Sequence, residues 1–461
     1  MSAIVGFVSS VFWGVIVLSV LVFIHEAGHY LAARAFGVRV TEFMLGLPCR
    51  YNLSFKSRKV GTRFGVTPLL LGGYNRISGM EPIDEDVAAK VLYCVQRHGR
   101  VESAKIAEEL GIDEEVALSA LASLSEWASV RPFYNPELGE EPNQKTYPAA
   151  FETVARDAAL LTEFDQGHDF SAAGATKAGE ARDPGCTAEE FLSKERAHTY
   201  LGLGFLRRLA VLLAGPLMNV AFAFIVVTAG FMATGIPVAS NEPVIGSVVE
   251  GSYAQASGIE AGDKVVKVGD VDVSTWDELS AAMSPYLAGG VDFQLTVNRG
   301  DAELYLTVDL PDGETSDRIG ITSQTAVYRP NPVQAAGLTL RYAQMVGSFV
   351  VKLVVPHTTM EVLNQSTSVV GISVMASEAA SSGPADLVML AASISMSLGF
   401  MNLLPIPPLD GGKILIEAIQ AVTKKKLSAK VQNYLSYVGL AFFLFVFVVV
   451  LKNDIFRFVI G

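Results

Sequence analysis

The first 24 residues carry no charge, and their apolar character is continuous rather than periodic. Three more uncharged apolar stretches follow, at 209–241, 387–409 and 431–451. Each reaches the roughly 20 residues that an α-helix needs to cross a bilayer, so the pattern predicts four membrane-spanning helices. The first lacks a basic leading region and a small-residue cleavage site, which predicts a retained helix rather than a signal peptide.

Between the spans the pattern changes. TRFGVTPLLLGGYNRI mixes β-branched and aromatic residues and is broken by Pro68 and the pair Gly72-Gly73. It predicts a membrane-associated β-hairpin or sheet within 37–80, of edge type and able to take up an extended peptide. Residues 81–165 turn helical, with Val91, Leu92 and Val95 on one face, Ser103 as a cap, Gly111 as a stop and Asp113 as a new start. With the turn-rich stretch after Arg131 as a two-stranded wing, this resembles a winged helix-turn-helix module. Residues 166–204 begin with Ala, Gly and charge in no apolar period, which predicts a flexible linker. Beyond the second span, assigned to 205–241, short alternating strands, a small helix around SYAQASG and the tight turn of GDKVVKVGDVDV resemble a PDZ domain, placed at 242–312. The segment 313–383 contains an apolar stripe interrupted by Arg341 and Lys352, and predicts an amphipathic helix at the outer surface or against the PDZ-like domain.

The expected fold is therefore a polytopic α-helical membrane protein with four transmembrane helices. It carries a membrane-associated β-hairpin or sheet, one external PDZ domain and a cytosolic winged-helix-like insert. The first helix occupies 1–36, the third 384–412, a cytosolic loop 413–430, and the fourth helix with the C-terminus 431–461.

Composition agrees, since half of the 461 residues are hydrophobic, too many for an ordinary soluble enzyme. Basic residues set the orientation. Arg34, Arg39, Lys56, Arg58, Lys59 and Arg63 follow the first span, Arg207 and Arg208 precede the second, and Lys424, Lys425, Lys426 and Lys430 lie between the third and fourth. Loops 1–2 and 3–4 are thus expected in the cytosol and both termini outside, in a multi-pass protein of the cell (cytoplasmic or inner) membrane. Cys49, Cys94 and Cys186 all fall in the first cytosolic loop, consistent with reduced thiols, and none has a neighbour at metal-finger spacing.

Residues 81–196 hold 24 acidic and 11 basic side chains, a net charge of −13 against −12 for the whole chain. The acidity belongs to this one module. Its expected recognition helix opens on Asp113, Glu114 and Glu115, which would face phosphates, so contact with a cytosolic protein regulator is expected rather than with nucleic acid.

The chemistry sits in HEAGH. His25 and His29 are four residues apart, so on a helix they project from one face and can bind one Zn²⁺. Glu26, beside the first ligand, can take a proton from water at the metal. Ionisable groups in an apolar span are costly and mark function. A catalytic zinc site needs a third protein ligand, and no further His appears before His98. The candidate is Asp410 in NLLPIPPLDGG, after three prolines and before two glycines; the plainer reading of LDGG is a surface turn.

Together, HEAGHYLAARAFGV, GTRFGVTPLLLGGYNRISGMEP, LAGPLMN, the PDZ-like stretch and LGFMNLLPIPPLDGG resemble the site-2 protease family of intramembrane zinc metalloproteases. The similarity is to the bacterial type with a PDZ domain, such as the regulator of sigma-E protease. The resemblance implies His25, His29 and Asp410 as zinc ligands, Glu26 as catalytic base, and Asn402 as a residue engaging substrate. Gly72, Gly73 and Tyr74 are expected at the substrate-clamping strand. It further implies cleavage within or near the transmembrane segment of a single-span substrate, pre-trimmed by another protease, such as a membrane-tethered anti-sigma factor or a signal-peptide remnant. The segment before the third span, 366–387, keeps only part of the family's Gly-Pro-rich pattern. Two other classes compete: a catalytically silent scaffold binding partners through its two modules, and a zinc transporter or sensor. An intact glutamate beside the ligands disfavours the first, and a single set of intramembrane ligands disfavours the second.

Overall fold

Helix α1 (Ser2–Ala35) runs without a break through the first apolar stretch and HEAGH to the turn at Gly37, whose φ of 78° suits glycine. The computed structural model describes residues 2–70, 72–142, 144, 146–310, 318–425, 427 and 429–456; Lys426, used above for orientation, lies outside them. The 34 residues of α1 span about 50 Å at 1.5 Å per residue, more than the roughly 30 Å of a hydrocarbon core.

Four strands follow, β1 (Val40–Leu45), β2 (Leu53–Lys56), β3 (Arg63–Val66) and β4 (Gly73–Ile77), in the sheet order β2-β3-β1-β4. Of the hairpin or sheet expected within 37–80, the structure has the sheet and not a local hairpin. Its two arms, β3 and β4, do not pair with each other; β1 lies between them, parallel to β3 and antiparallel to β4. The reason is burial, because Val40, Phe43 and Met44 of β1 are shielded and take the central place. Strand β4 is left at one end of the sheet.

The acidic insert contains α2 (Glu85–His98), β5 (Arg100–Glu102), α3 (Ser103–Leu110), α4 (Glu114–Glu126), β6 (Val130–Phe133) and β7 (Ala150–Thr153). Asp84 caps α2, and Gly111 ends α3 with φ 65°. Ser103 is the first residue of α3 rather than its cap, and its hydroxyl donates to Glu114. Strands β6 and β7 pair antiparallel, and β5 joins on the other side of β7. The stretch expected to be a linker ends instead in α5 (Ala188–Ala197), whose Phe191 and Leu192 are buried with Leu92, Leu121, Trp127 and Phe151. Two apolar residues one position apart carry no period, so the sequence pattern hid them.

Helix α6 (Phe205–Thr234) is the second apolar helix and contains Pro216. A separate compact unit, 228–338, then contains β8 (Ile236–Ala239), β9 (Ile245–Val248), α7 (Tyr253–Ala256), β10 (Lys264–Val268), β11 (Val271–Asp272), α8 (Trp276–Gly289), β12 (Phe293–Arg299), β13 (Ala302–Val308), β14 (Ile321–Ser323) and β15 (Thr325–Tyr328). Its main sheet runs β11-β10-β12-β13, and Leu279 and Met283 of α8 are buried with Val265, Leu295 and Val297. Strand β14 pairs with β9, so the fold extends beyond the expected end at 312.

The rest of the chain is helical: α9 (Pro332–Leu353), α10 (Thr359–Gln365), α11 (Val369–Ser382), α12 (Pro384–Asn402), α13 (Asp410–Thr423) and α14 (Ala429–Ile455). The amphipathic reading of α9 changes partner. Its Phe349, Val350 and Leu353 pack with Phe400, Leu404 and Val450 on and after α12 and on α14. Helix α11 lies along the first half of α1, where Gly14 meets Ser373 and the Ser9 and Ser377 hydroxyls are 2.8 Å apart. Among the described residues, α1, α6, α12 and α14 are long and apolar enough to cross a membrane.

Candidate metal centre

Two close helix approaches build the site. On α1, Gly28 faces the Ala214 carbonyl of α6, and Gly215 of α6 faces the His29 ring, with no space for a β-carbon at either glycine. Small residues of this kind let apolar helices approach closely. The third contributor arrives at the start of α13, where Gly411 and Gly412 lie against the backbone of Leu403, Leu404 and Pro407. This packing turns the chain after α12 and begins a new helix with Asp410, rather than leaving LDGG as a surface turn.

His25, His29 and Asp410 are all buried. Asp410 Oδ2 is 3.1 Å from Nε2 of each histidine, and the two Nε2 atoms are 3.2 Å apart. Ligand atoms at about 2.0–2.1 Å from a tetrahedral zinc stand about 3.3 Å from one another, so the triangle has the size of one face of such a site. The proton position of His29 fits as well. Nδ1 of His29 donates to the Val211 carbonyl at 2.8 Å, which leaves an Nε2 lone pair facing the carboxylate. Lone pairs converging at this distance repel unless a cation lies among them. The three residues therefore suit a divalent metal.

Glu26 is half-buried one position beyond His25. Strand β4 passes beside it: a β-carbon on Gly73 would stand 3.6 Å from Glu26 Cγ, and the Asn75 side-chain amide donates to the Glu26 carbonyl at 2.5 Å. Of the strand residues expected at the site, Gly73 is thus brought to it. The Tyr74 hydroxyl instead donates to Glu42 at 3.3 Å, and Gly72 accepts from Gly46 within the sheet. Asn402 is the last residue of α12. Gly28, Asn75 and Gly215 lie within stretches that carry the family resemblance, but their contacts with the site were not assigned from the sequence, and Val211 lies outside those stretches.

Apolar helices surrounding two imidazoles, a carboxylate ligand and an adjacent glutamate define a membrane-embedded hydrolytic metal centre. The chain belongs to peptidase family M50, whose description matches residues 13–446, and it is a zinc metalloprotease of the site-2 protease type with Zn²⁺ as cofactor. It is 25% identical over 460 residues to the regulator of sigma-W protease RasP of Bacillus subtilis, covering 98% of this chain and 99% of that protein. It is 26% identical to the zinc metalloprotease RasP of Geobacillus kaustophilus, covering 96% of this chain and 97% of the relative. It is 24% identical to the probable protease eep of Enterococcus faecalis, covering 96% and 98%.

Proposed function

We propose that the protein hydrolyses a peptide bond within or beside the transmembrane helix of a single-span membrane protein, with zinc held by His25, His29 and Asp410 and with Glu26 as base. The observation that carries the proposal is the placement of Glu26 between the convergent ligands and the end strand of a sheet. A helical peptide bond is shielded by its own hydrogen bonds, and pairing along β4 would hold the unwound segment extended beside the metal. Gly73 keeps the strand close, and Asn402, Gly72 and Tyr74 complete the proposed substrate contacts, with Tyr74 acting through Glu42. Zinc, when bound, polarises the scissile carbonyl and makes attacking water acidic enough to lose a proton near neutral pH. Glu26 takes that proton and returns it to the leaving amide nitrogen.

The separate unit fits a PDZ domain, given the order β11-β10-β12-β13 and the capping helix α8. It lies outside the cytosol in this scheme, with both termini, and receives or screens pre-trimmed substrates such as anti-sigma factors or signal-peptide remnants. The regulator of sigma-W protease among the relatives supports the first class. The insert fits a winged helix, with α2, α3 and α4 packed on the sheet β5-β7-β6, and serves a cytosolic protein regulator. The test is cleavage of a tagged single-span substrate in detergent by wild type and Glu26→Gln. Zinc in both and cleavage only by wild type is the expected result. Zinc in both and no cleavage of any span in a panel would favour the silent scaffold.

A further inference from the structure

The insert holds a second convergence of metal-ligating atoms, away from HEAGH. The reading that no cysteine has a neighbour at metal-ligand spacing is corrected here: Cys94 and His98, four residues apart, lie one turn apart on α2, and Glu109 reaches them from α3. Glu109 Oε2 is 3.6 Å from Cys94 Sγ and 3.4 Å from His98 Nε2, and one ligand atom from each of the three lies within 4.8 Å of the others. Around a tetrahedral zinc with Zn–S about 2.3 Å and Zn–N or Zn–O about 2.0–2.2 Å, such atoms stand about 3.3–3.6 Å apart. Both Glu109 distances already match, while Cys94 Sγ is 3.6 Å from His98 Nδ1, so closing on an ion through Nε2 takes a turn of the imidazole or the thiol.

The outer bonding is suitable too. Nδ1 of His98 donates to the Cys94 carbonyl at 2.9 Å, which fixes the proton on that nitrogen and leaves the Nε2 lone pair toward Glu109. His29 makes the same kind of bond to Val211. Cys94 is buried, whereas the side chains of His98 and Glu109 are 30% and 45% exposed, so the cluster opens to solvent on one side. A cation can enter there and retain water in its remaining position.

We propose that Cys94, His98 and Glu109 form a second metal site, specific for a thiophilic divalent cation with zinc as the natural choice, which clasps α2 to α3. Sulfur, imidazole and one carboxylate select zinc over magnesium or calcium, which prefer sets of oxygen ligands. The ordinary alternative is a surface His98–Glu109 ion pair beside a buried thiol, and it predicts no second ion.

The experiment is a zinc titration of the full-length protein in detergent against a chromophoric chelator, with cobalt absorption spectra as a second readout. Wild type is expected to hold two zinc ions per chain. His98→Gln and Glu109→Gln, both at the surface and sparing the core, are expected to weaken one of them by roughly tenfold or more. Cobalt is expected to give a thiolate charge-transfer band that Cys94→Ser abolishes, with circular dichroism reporting whether that variant folds. His29→Ala is expected to lose the other ion and keep the band. One zinc per chain in wild type, or a second zinc indifferent to His98→Gln and Glu109→Gln, would overturn the proposal without touching the catalytic reading.

Discussion

Gly215 of α6 faces the His29 ring so closely that its missing side chain is part of the metal site. A methyl group there would land on Nε2, the atom that points toward Asp410. Gly215→Ala is therefore expected to displace the ring, to lower zinc affinity about 10–100-fold, and to lose cleavage in proportion. Zinc stoichiometry and peptidase rate at rising zinc concentration check this; a variant with full zinc and full activity would contradict it.

Strand β4 offers a different separation. A β-carbon at Gly73 would stand 3.1 Å from the Met44 carbonyl and 3.2 Å from a Val22 methyl, with Glu26 just beyond. Gly73→Val is expected to push the strand off α1 and cut cleavage by at least about tenfold while zinc stays bound, because no metal ligand moves. Loss of zinc instead would mean that β4 supports the ligands rather than the substrate.

The catalytic helix is tied to the insert by a buried charge network. Arg39, just beyond α1, donates at 2.7 Å to both carboxylate oxygens of Asp165 and to Glu195, and Arg156 donates to Glu195 at 2.7 Å. Arg39→Met takes one cationic partner from each of two buried carboxylates, leaving Arg156 with Glu195 and His198 with Asp165, and is expected to destabilise the insert by about 3 kcal/mol. Limited proteolysis of the 155–197 region, compared with wild type, measures it. A surface ion pair of the same composition, such as Lys56 with Glu163, would contribute at most about 1 kcal/mol.

The same network sets a pH dependence. Burial alone would push the Glu195 and Asp165 carboxyls up, but Arg156 and Arg39 around Glu195, and Arg39 and His198 beside Asp165, hold both below the usual carboxylate range. Groups with depressed folded values stabilise fully above their unfolded values, about 3.9–4.3, and lose that contribution as pH falls through the folded ones. The insert is expected to keep its packing from neutral pH to about 5 and to loosen below about 4. Trp127 is buried, and its carbonyl accepts from Arg39. Its fluorescence, with Trp13 and Trp276 replaced by Phe, follows the transition.

Much of this was legible in the chain. Continuous apolar runs announce their helices because a bilayer demands uninterrupted hydrogen-bonded apolar segments. His25, Glu26 and His29 are readable because four-residue spacing places ligands on one helical face whatever surrounds it. Asp410 was a candidate from its broken surroundings, and the separate unit after α6 was foreshadowed by its alternating strands. These signals are local, and local geometry needs no partner to be recognised.

What the sequence could not decide were approaches between segments far apart in the chain. Nothing local in Gly215 says that it faces His29, nor in Arg39 that it will meet Asp165 and Glu195. Residues 166–196 looked like a linker because Phe191 and Leu192 have no periodic neighbours, yet they close a core built by α2, α4 and β7. Whether the strands of 37–80 form a hairpin or a wider sheet was likewise open until β1 was seen between β3 and β4, since strand partners follow from which side chains must be buried and not from nearness along the chain. Composition and spacing determined which elements and which chemistry this protein has; packing, which sums contacts over the whole chain, decided where the carboxylate, the glycine and the strand edge meet the metal.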